Sequence, residues 1–568
     1  MTTTTTIPPA TVNTSGSTTY LTGTASGLDT ASLISAAVAQ KTAPADTLDA
    51  KVTANTTKIT AYQSLQSLIT GLSTSMSQLA STTYSSVSTT TNAFQAKAVS
   101  VTASNSAAGP DIAVSADSTA AASTYTVTVD QLAAAQKVAS SAMASTTALG
   151  LAGAFTLNDA LGSAQTVNVT ADMTLSDVAS AINAVSAQSG VSASLIQVGT
   201  GSYNLVLSGN DTNQAIATSA ASGADVLASL GVTDASGGFV NTLQAAQPAL
   251  VTIDGTQIAG DSNNLTDAVS GLSFSLLKTT AAGQSNTMTV SPDYSSVKTA
   301  ITDFITAYNA LRTFVTSNQA VGADGTPASG AVLFADPLLR DASQSLNAII
   351  AGNSAAATGA FGNLADLGIT LDSANQMSLS NQTTLDNALL GNLSQVSSLF
   401  QTSFTASDSS LKLLQNTSTS GFNFTLDVTT DASGALTSAS VNGDSSLFTV
   451  SGNLIVGAPG GAYAGLSFAL VATGDTSINV AIAPGFANQI TAFASQYGDV
   501  NTGLVQQQIT SLGTQDAAWT TSSQKIRSDA AAYQTTLVNK YAAMEQEVSA
   551  AKMLQTQINA LLGGSTGG

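Results

Sequence analysis

Ser295 and Lys298 stand at the Ser-x-x-Lys spacing of some acyl-transfer enzymes, which places an amine within reach of a hydroxyl nucleophile. The companion motifs of those enzymes are missing, and the same residues open an amphipathic helical pattern, so the helix is the better reading. The glycine-rich stretch GAPGGAYAG (457–465) could approach a phosphate, but it lacks the Lys-Ser/Thr that completes a phosphate loop and reads as a turn between strands. Asp261, Asn263 and Asp267 in DSNNLTD faintly resemble a calcium loop. The glycine and the bidentate glutamate of such a loop are absent, and a solvated loop with a helix cap is expected instead. Spacing alone does not rule out paired carboxylates of the glycosidase kind, but nothing points to them. Trp519, the only tryptophan, falls on a helical pattern and reads as a packing anchor, and Tyr62 and Tyr308 read as core residues with their hydroxyls at the edge.

Composition narrows the chemistry further. The chain has neither histidine nor cysteine, which removes the commonest general acid–base, the usual zinc ligands and any thiolate or disulfide. No catalytic residue, metal site or cofactor is therefore assigned, and the chain is not expected to be an enzyme. With 14 Lys+Arg against 33 Asp+Glu, the net charge of −19 opposes binding to a phosphate backbone, so no nucleic-acid partner is expected. No apolar run is long enough to cross a bilayer, so no membrane insertion is expected either. The amino terminus lacks the basic and apolar segments of a signal peptide. Hydrophobic residues make up 43% of the chain, enough for packed cores, while only 5% are aromatic and 8% charged. Ala, Ser, Thr and Gly supply the remainder, and the length suits roughly three to five domains.

The elements that must position any partner-binding residues lie at the two ends. In TASGLDTASLISAAVAQ (24–40), a Ser-Gly-Leu-Asp turn leads into a short run in which Leu28, Leu33, Ile34, Ala37 and Val38 share a helical face. So short a helix is marginal alone in water. The Thr-rich tail before it has no pattern that asks for folding. Leu48, Val52, Ile59, Tyr62, Ile69, Leu72, Met76 and Leu79 continue at spacings of mostly three and four, and Pro44 suits a helix start, so one long helix is expected over roughly 45–80. At the far end, Leu537, Tyr541, Met544, Val548, Ala551, Ile558 and Leu562 follow a heptad-like pattern, which Ile526 and Tyr533 extend upstream. The bland alternative for these stripes is an intramolecular helical hairpin.

Between them the period switches to two. FQAKAVSVTAS, DIAVSAD, TYTVTVDQLA and SYNLVLSG alternate as half-buried antiparallel strands do. One helix interrupts them, with Thr174 and Asp177 spaced for a capping box, and Asp254-Gly255 marks a hairpin. Helix returns over 295–315, where Val297, Ile301, Phe304, Ile305, Tyr308 and Leu311 share a side. It recurs near 333–349, 383–400, 485–500 and 505–526, and a second strand-rich block covers about 420–483. The fold class is α+β, a coiled-coil-like helical framework formed by both ends and the middle helices, with inserted antiparallel β-rich domains. The expected division is a flexible amino-terminal leg (1–47), a framework (48–95, 293–404 and 485–530) and a β-rich domain (96–135 and 245–292). To these add an outer β-rich domain with one helix (136–244), an inserted β-rich block (405–484) and a carboxy-terminal coiled-coil leg (531–568).

Several segments together resemble the family of flagellar filament-capping, hook-associated proteins. They are TASGLDTASLISAAVAQ with the following ITAYQSLQSLITGLSTSMSQL, SDVASAINAVSAQSGVSASLIQVGTGSYNLVLSGNDT, and ALVTIDGTQIAGDSNNLTDAVSGLSFSL through MTVSPDYSSVKTAITDFITAYNAL. LFADPLLRDASQSL, NLADLGITLDSANQMSLSNQTTLDNALLGNLSQVSSLF and YAAMEQEVSAAKMLQTQINALL continue in the family's order. The Thr-rich start and the enlarged block near 405–484 depart from the family pattern.

The resemblance implies a protein that caps the distal end of the flagellar filament and promotes insertion and folding of exported flagellin. It also implies export through the flagellar channel by the flagellar export apparatus with an export chaperone, assembly into a homo-oligomeric ring, and an extracellular position at the filament tip. Under it, Leu28, Leu33, Ile34 and Val38, with Leu537, Tyr541, Met544, Val548, Ile558 and Leu562, become leg residues that bind flagellin or neighbouring subunits. Surface adhesion is left open as an added role. The rival readings are another axial flagellar protein, whether a flagellin or a hook–filament junction protein, and a secreted adhesin or surface-layer subunit.

Overall fold

A computed structural model of the chain describes residues 11–15, 18–22, 25–80, 92–418, 420–471 and 474–563, with side chains described between 25 and 560. Among the described residues the longer helices are α1 (Thr30–Ser77), α2 (Leu175–Ala184), α3 (Tyr294–Asn318), α4 (Pro337–Ala351), α5 (Gln382–Phe400), α6 (Phe486–Gly498) and α7 (Leu504–Gly563). The chain divides into two units, residues 1–88 with 299–568 and residues 89–298.

In the first unit, α1 starts 15 residues earlier than the sequence pattern suggests, at Thr30 rather than near 45, and carries Pro44 in its interior. An interior proline costs a helix about 3 kcal/mol through a lost hydrogen bond and a ring clash. Here Asp29 caps the true start, accepting from the Ser32 amide at 3.0 Å, and Ile34 and Ala45 are buried on either side of the proline. Packing on both sides offsets the local penalty. The face so formed runs Ile34, Val38, Lys41, Ala45, Leu48, Val52, Asn55, Ile59, Tyr62 in unbroken alternation of fours and threes, the coiled-coil period. The carboxy-terminal end is likewise one 60-residue helix instead of two, because no proline interrupts 504–563. At 1.5 Å per residue, α1 and α7 extend ~72 Å and ~90 Å.

The remaining helices close a core around the lower part of α1. Tyr62, Leu65, Ile69, Leu72, Met76 and Leu79 are fully buried, and Leu65 and Ile69 meet Leu311 and Val315 of α3, Leu339 and Leu346 of α4, and Phe493 of α6 around one small cavity. Each large apolar side chain so buried contributes about 1.5–3 kcal/mol. At Gly498 the end of α6 lies so close to α1 that a Cβ would stand 2.7 Å from a methyl of Ile69. Two tyrosine–aspartate bonds lock the cluster: Tyr62 donates to Asp336 at 2.5 Å, and Tyr497 to Asp341 at 2.6 Å.

Residues 403–483 form a β-sandwich within this unit. One sheet runs, edge to edge, Ser403–Ala406, Thr476–Ala483, Phe422–Thr430, Leu436–Ser440, and the other Lys412–Asn416, Leu466–Ala469, Leu454–Gly457, Phe448–Ser451. Their inward residues, among them Leu413, Leu426, Ile455, Phe468, Ile478 and Val480, share one core, with Tyr463 stacked on Phe448 at 5.1 Å. The Thr-rich start differs from expectation too. Thr11–Ser15 pairs antiparallel with Thr18–Thr22, and the second strand lies beside α7, a surface that an isolated hairpin needs to persist.

The second unit holds two separate cores. A five-stranded sheet (Thr256–Gly260, Ala249–Ile253, Ser123–Gln131, Asn286–Pro292, Lys97–Ala103) and a three-stranded sheet (Asn264–Val269, Leu272–Leu276, Ile112–Ala116) bury Val127, Val129, Val251, Phe274, Met288 and Val290 between them. The hairpin at Asp254-Gly255 has positive φ at both residues, 48° and 81°, which matches a type I′ turn and explains the glycine. The other core packs α2 against a four-stranded sheet (Thr242–Gln244, Lys137–Ala139, Ser202–Gly209, Val191–Gly199) and a three-stranded sheet (Ala217–Gly223, Gly153–Asn158, Gln165–Val169). The capping box is present: Thr174 Oγ accepts from the Asp177 amide, and the Asp177 carboxylate accepts from the Thr174 amide.

Candidate functional site

The residues whose spacing suggested chemistry are spent on structure. Ser295 donates to Asp293, which caps α3 through the amides of Ser295 and Ser296. GAPGGAYAG joins two strands of the sandwich, and its Tyr463 plugs the sandwich core. Asp261 accepts from the Asn213 amide group, while Asn263 exchanges two hydrogen bonds with the Ala133 backbone, so the DSNNLTD oxygens do not converge. No helix cap occurs there: the stretch leads into the strand Asn264–Val269, contrary to expectation, because its alternating side chains pair with Leu272–Leu276. Among the described residues, no group of three acidic side chains is placed to hold a metal ion.

The feature that stands apart is the antiparallel hairpin of α1 and α7. Gln66 reaches Gln506 at 3.4 Å, the Ser523 hydroxyl lies 3.5 Å from the Ala45 carbonyl, and Arg527 bridges Asp46 and Asp49 at 2.6 Å each. Lys41 lies over the Tyr533 ring at 5.1 Å and Lys51 over the Trp519 ring at 5.5 Å. At the free end, the buried carboxylate of Glu545 accepts from the amides of Ala25 at 2.8 Å and Ser26 at 3.1 Å, and from the Ser26 hydroxyl.

The seam changes character along its length. Below Tyr62 it is made of large apolar residues. Above it, the buried residues of α1 are Thr30, Ile34, Ala45 and Asn55, and those of α7 are Ser523, Ala530, Val538, Ala542 and Glu545. Only Ile34 and Val538 are large aliphatics. The upper hairpin thus has small and polar residues at its centre, with Val38, Leu48, Val52 and Ile59 of α1 and Leu537, Tyr541, Met544 and Val548 of α7 half-buried along it.

The ten leg residues read from sequence sort accordingly. Ile34 is buried inside the hairpin and Val38 half-buried. Leu537, Tyr541, Met544 and Val548 are half-buried, because the α7 seam runs one position over, through Val538, Ala542 and Glu545. A charged third member hid that alternative stripe from a hydrophobic pattern. Leu28, Leu33 and Ile558 face solvent at 47%, 48% and 49% exposure, and Leu562 has its side chain outside the described residues. The structure adds Met553 and Leu554, exposed at 62% and 60%, on the stretch of α7 that extends past the start of α1.

The paired terminal helices, with the β-rich segments between them in sequence, are the most distinctive feature among the described residues. The family model of the flagellar hook-associated protein 2 carboxy terminus matches residues 246–553, and that of its amino terminus residues 26–136. The chain belongs to the flagellar hook-associated protein 2 family, whose role is to cap the filament tip and aid flagellin polymerisation. A flagellin hook IN motif matches residues 154–211. The chain is 31% identical to the Escherichia coli K12 flagellar hook-associated protein 2 over 62% of its own length and 73% of the relative's. It is also 31% identical to the B-type flagellar hook-associated protein 2 of Pseudomonas aeruginosa over 43% of its length, spanning about half (54%) of that relative. A crystal structure of the Escherichia coli flagellar cap protein FliD, domains D1 to D3, matches with a TM-score of 0.48 at 28% identity, covering 60% of this chain and 90% of that one.

Proposed function

We propose that this chain caps the distal end of the bacterial flagellar filament and promotes insertion and folding of flagellin, its hairpin serving as the leg that engages the filament. The observation that carries the leg is the pairing of a thinly packed seam with exposed apolar residues, Leu28, Leu33, Met553, Leu554 and Ile558. Apolar groups left in water on a helix face gain by burial against another helix. A hairpin with few large buried side chains adjusts to such a partner at low cost. Leu537, Tyr541, Met544 and Val548, half-buried along α7, are assigned to the same contact. Ile34 and Val38 keep the two helices in register beneath it.

The work is binding and mechanical, with no bond chemistry. The protein assembles with copies of itself into a ring and reaches the tip through the flagellar export channel, escorted by an export chaperone. Residues 96–135 with 245–292, residues 136–244 and residues 405–484 act as separate β-domains on the framework, a division supported by their three distinct cores. Deleting the gene tests the function. Cells without the protein are expected to release monomeric flagellin into the medium and to carry short filaments or none. Filaments of normal length and number would overturn the reading.

A further inference from the structure

We propose that Glu545 is the latch of the hairpin's free end, a positioning residue that holds the Ser26–Leu28 turn on α7 and whose release lets the upper hairpin open as a unit. The inference deepens the docking role, on which it rests for its use. Glu545 sits on α7 at a level where the α1 partner has run out, since α1 begins at Thr30 and the chain before it must turn. The carboxylate meets that turn directly. The amides of Ala25 and Ser26 and the Ser26 hydroxyl all donate to it, and Glu545 is only 5% exposed. Two turns further along α7, the Lys552 ammonium donates to the carbonyl of the same Ala25, so the turn is gripped through both its donors and its acceptor.

Charge-assisted hydrogen bonds are roughly twice as strong as neutral ones, and a buried carboxylate stripped of its donors carries a full desolvation cost. The latch is therefore firm where it is made. What lies behind it is weak by comparison. From Thr30 to Ile59, the hairpin buries one large aliphatic residue from α1, Ile34, and one from α7, Val538, with Val38, Leu48, Val52 and Ile59 only half-buried, whereas five large side chains of α1 from Tyr62 to Met76, and Leu79 just past its end, are fully buried. Segments with few buried apolar contacts open at lower free energy than the core they adjoin. The boundary of the opening unit falls near Tyr62, where the Asp336 bond and the lower core begin. The latch also fixes where Leu28 stands, because the Leu28 amide donates to the Ser26 hydroxyl at 3.2 Å. Breaking it moves an exposed apolar residue of the proposed docking surface.

Hydrogen exchange on the full chain, in the absence of flagellin, tests the latch without reference to capping. In Glu545→Ala the amides of residues 25–45 are expected to exchange at least about tenfold faster, and those of 62–79 within about twofold of the parent. Glu545→Gln, which keeps one acceptor oxygen and loses the charge, is expected to fall between. Ser26→Ala removes one of the three donors to the carboxylate, and with it the acceptor of the Leu28 amide, and gives a smaller acceleration over the same residues if Glu545→Ala proves insoluble. Unchanged exchange at 25–45, or equal acceleration at 25–45 and 62–79, would overturn the proposal. Failure of the deletion phenotype with the exchange pattern intact would instead sink the capping reading and leave the latch standing.

Discussion

The Tyr62 hydroxyl donates to the Asp336 carboxylate, and the same carboxylate caps α4 by accepting from the Leu339 amide at 2.9 Å. One side chain of the amino-terminal helix thus completes the start of a helix 274 residues away in sequence. Tyr308, also fully buried, has no hydrogen-bond partner for its hydroxyl among the described residues. The two tyrosines should respond oppositely to the same change. Tyr62→Phe is expected to lower unfolding stability by about 1–2 kcal/mol, whereas Tyr308→Phe should be neutral or stabilising. Urea denaturation of both variants checks this.

The Tyr497–Asp341 bond gives the fold an alkaline limit. Burial first, then the Asp341 carboxylate, pushes the Tyr497 hydroxyl up to about 12 from its ordinary value of 10.0. Because the folded value is the higher one, its contribution is complete below pH 10 and is lost as pH rises toward 12. Tyr497→Phe should therefore flatten the fall in melting temperature across that window, as calorimetry between pH 9 and pH 12 would reveal.

The acid side is set by capping aspartates. The Ser296 hydroxyl first, and the Ser295 hydroxyl and both amides after it, hold the Asp293 carboxyl below its ordinary value of 3.8. A lowered value contributes stability above the ordinary value and loses it as pH falls through the folded one. Asp293→Asn should be less stable than the parent at neutral pH, and the difference should shrink as the solution is acidified. Paired melts at neutral and acid pH test the sign.

Much of this was legible in the sequence where periodicity and local chemistry agree. The Thr174–Asp177 box, the Asp254-Gly255 hairpin and the stripe from Leu48 to Leu79 follow from short-range rules. The start of α1 did not, because Pro44 is a strong local signal for a boundary. Only the distant α7 makes the helix continue through it. The α7 seam lies one residue from the apolar repeat for a related reason: Val538, Ala542 and Glu545 include a carboxylate, whereas Leu537, Tyr541 and Met544 carry the hydrophobic pattern. Glu545 is buried because it is matched by backbone donors 519 and 520 residues away, which no periodicity can show.

Ile34 and Leu33 are adjacent in sequence and opposite in role. Ile34→Ala should lower the free energy of opening the upper hairpin by roughly 2 kcal/mol or more, while Leu33→Ala, already in water, should leave it nearly unchanged. Amide exchange over residues 30–45 separates the two.

Arg527 bridges two aspartates, yet all three side chains are largely exposed. Exposed ion pairs are screened by salt and contribute little. Arg527→Ala is expected to leave the melting temperature of the chain unchanged at physiological ionic strength, a result that scanning calorimetry gives directly.

If the exposed apolar residues of the hairpin engage the filament, charging them abolishes capping. The direct measurement is flagellin in the culture medium of a deletion strain complemented with the Leu33→Glu/Met553→Glu chain, whose purified form should melt with the parent. Monomeric flagellin is expected at the level of the uncomplemented deletion. Normal filaments, with no excess flagellin in the medium, would contradict it.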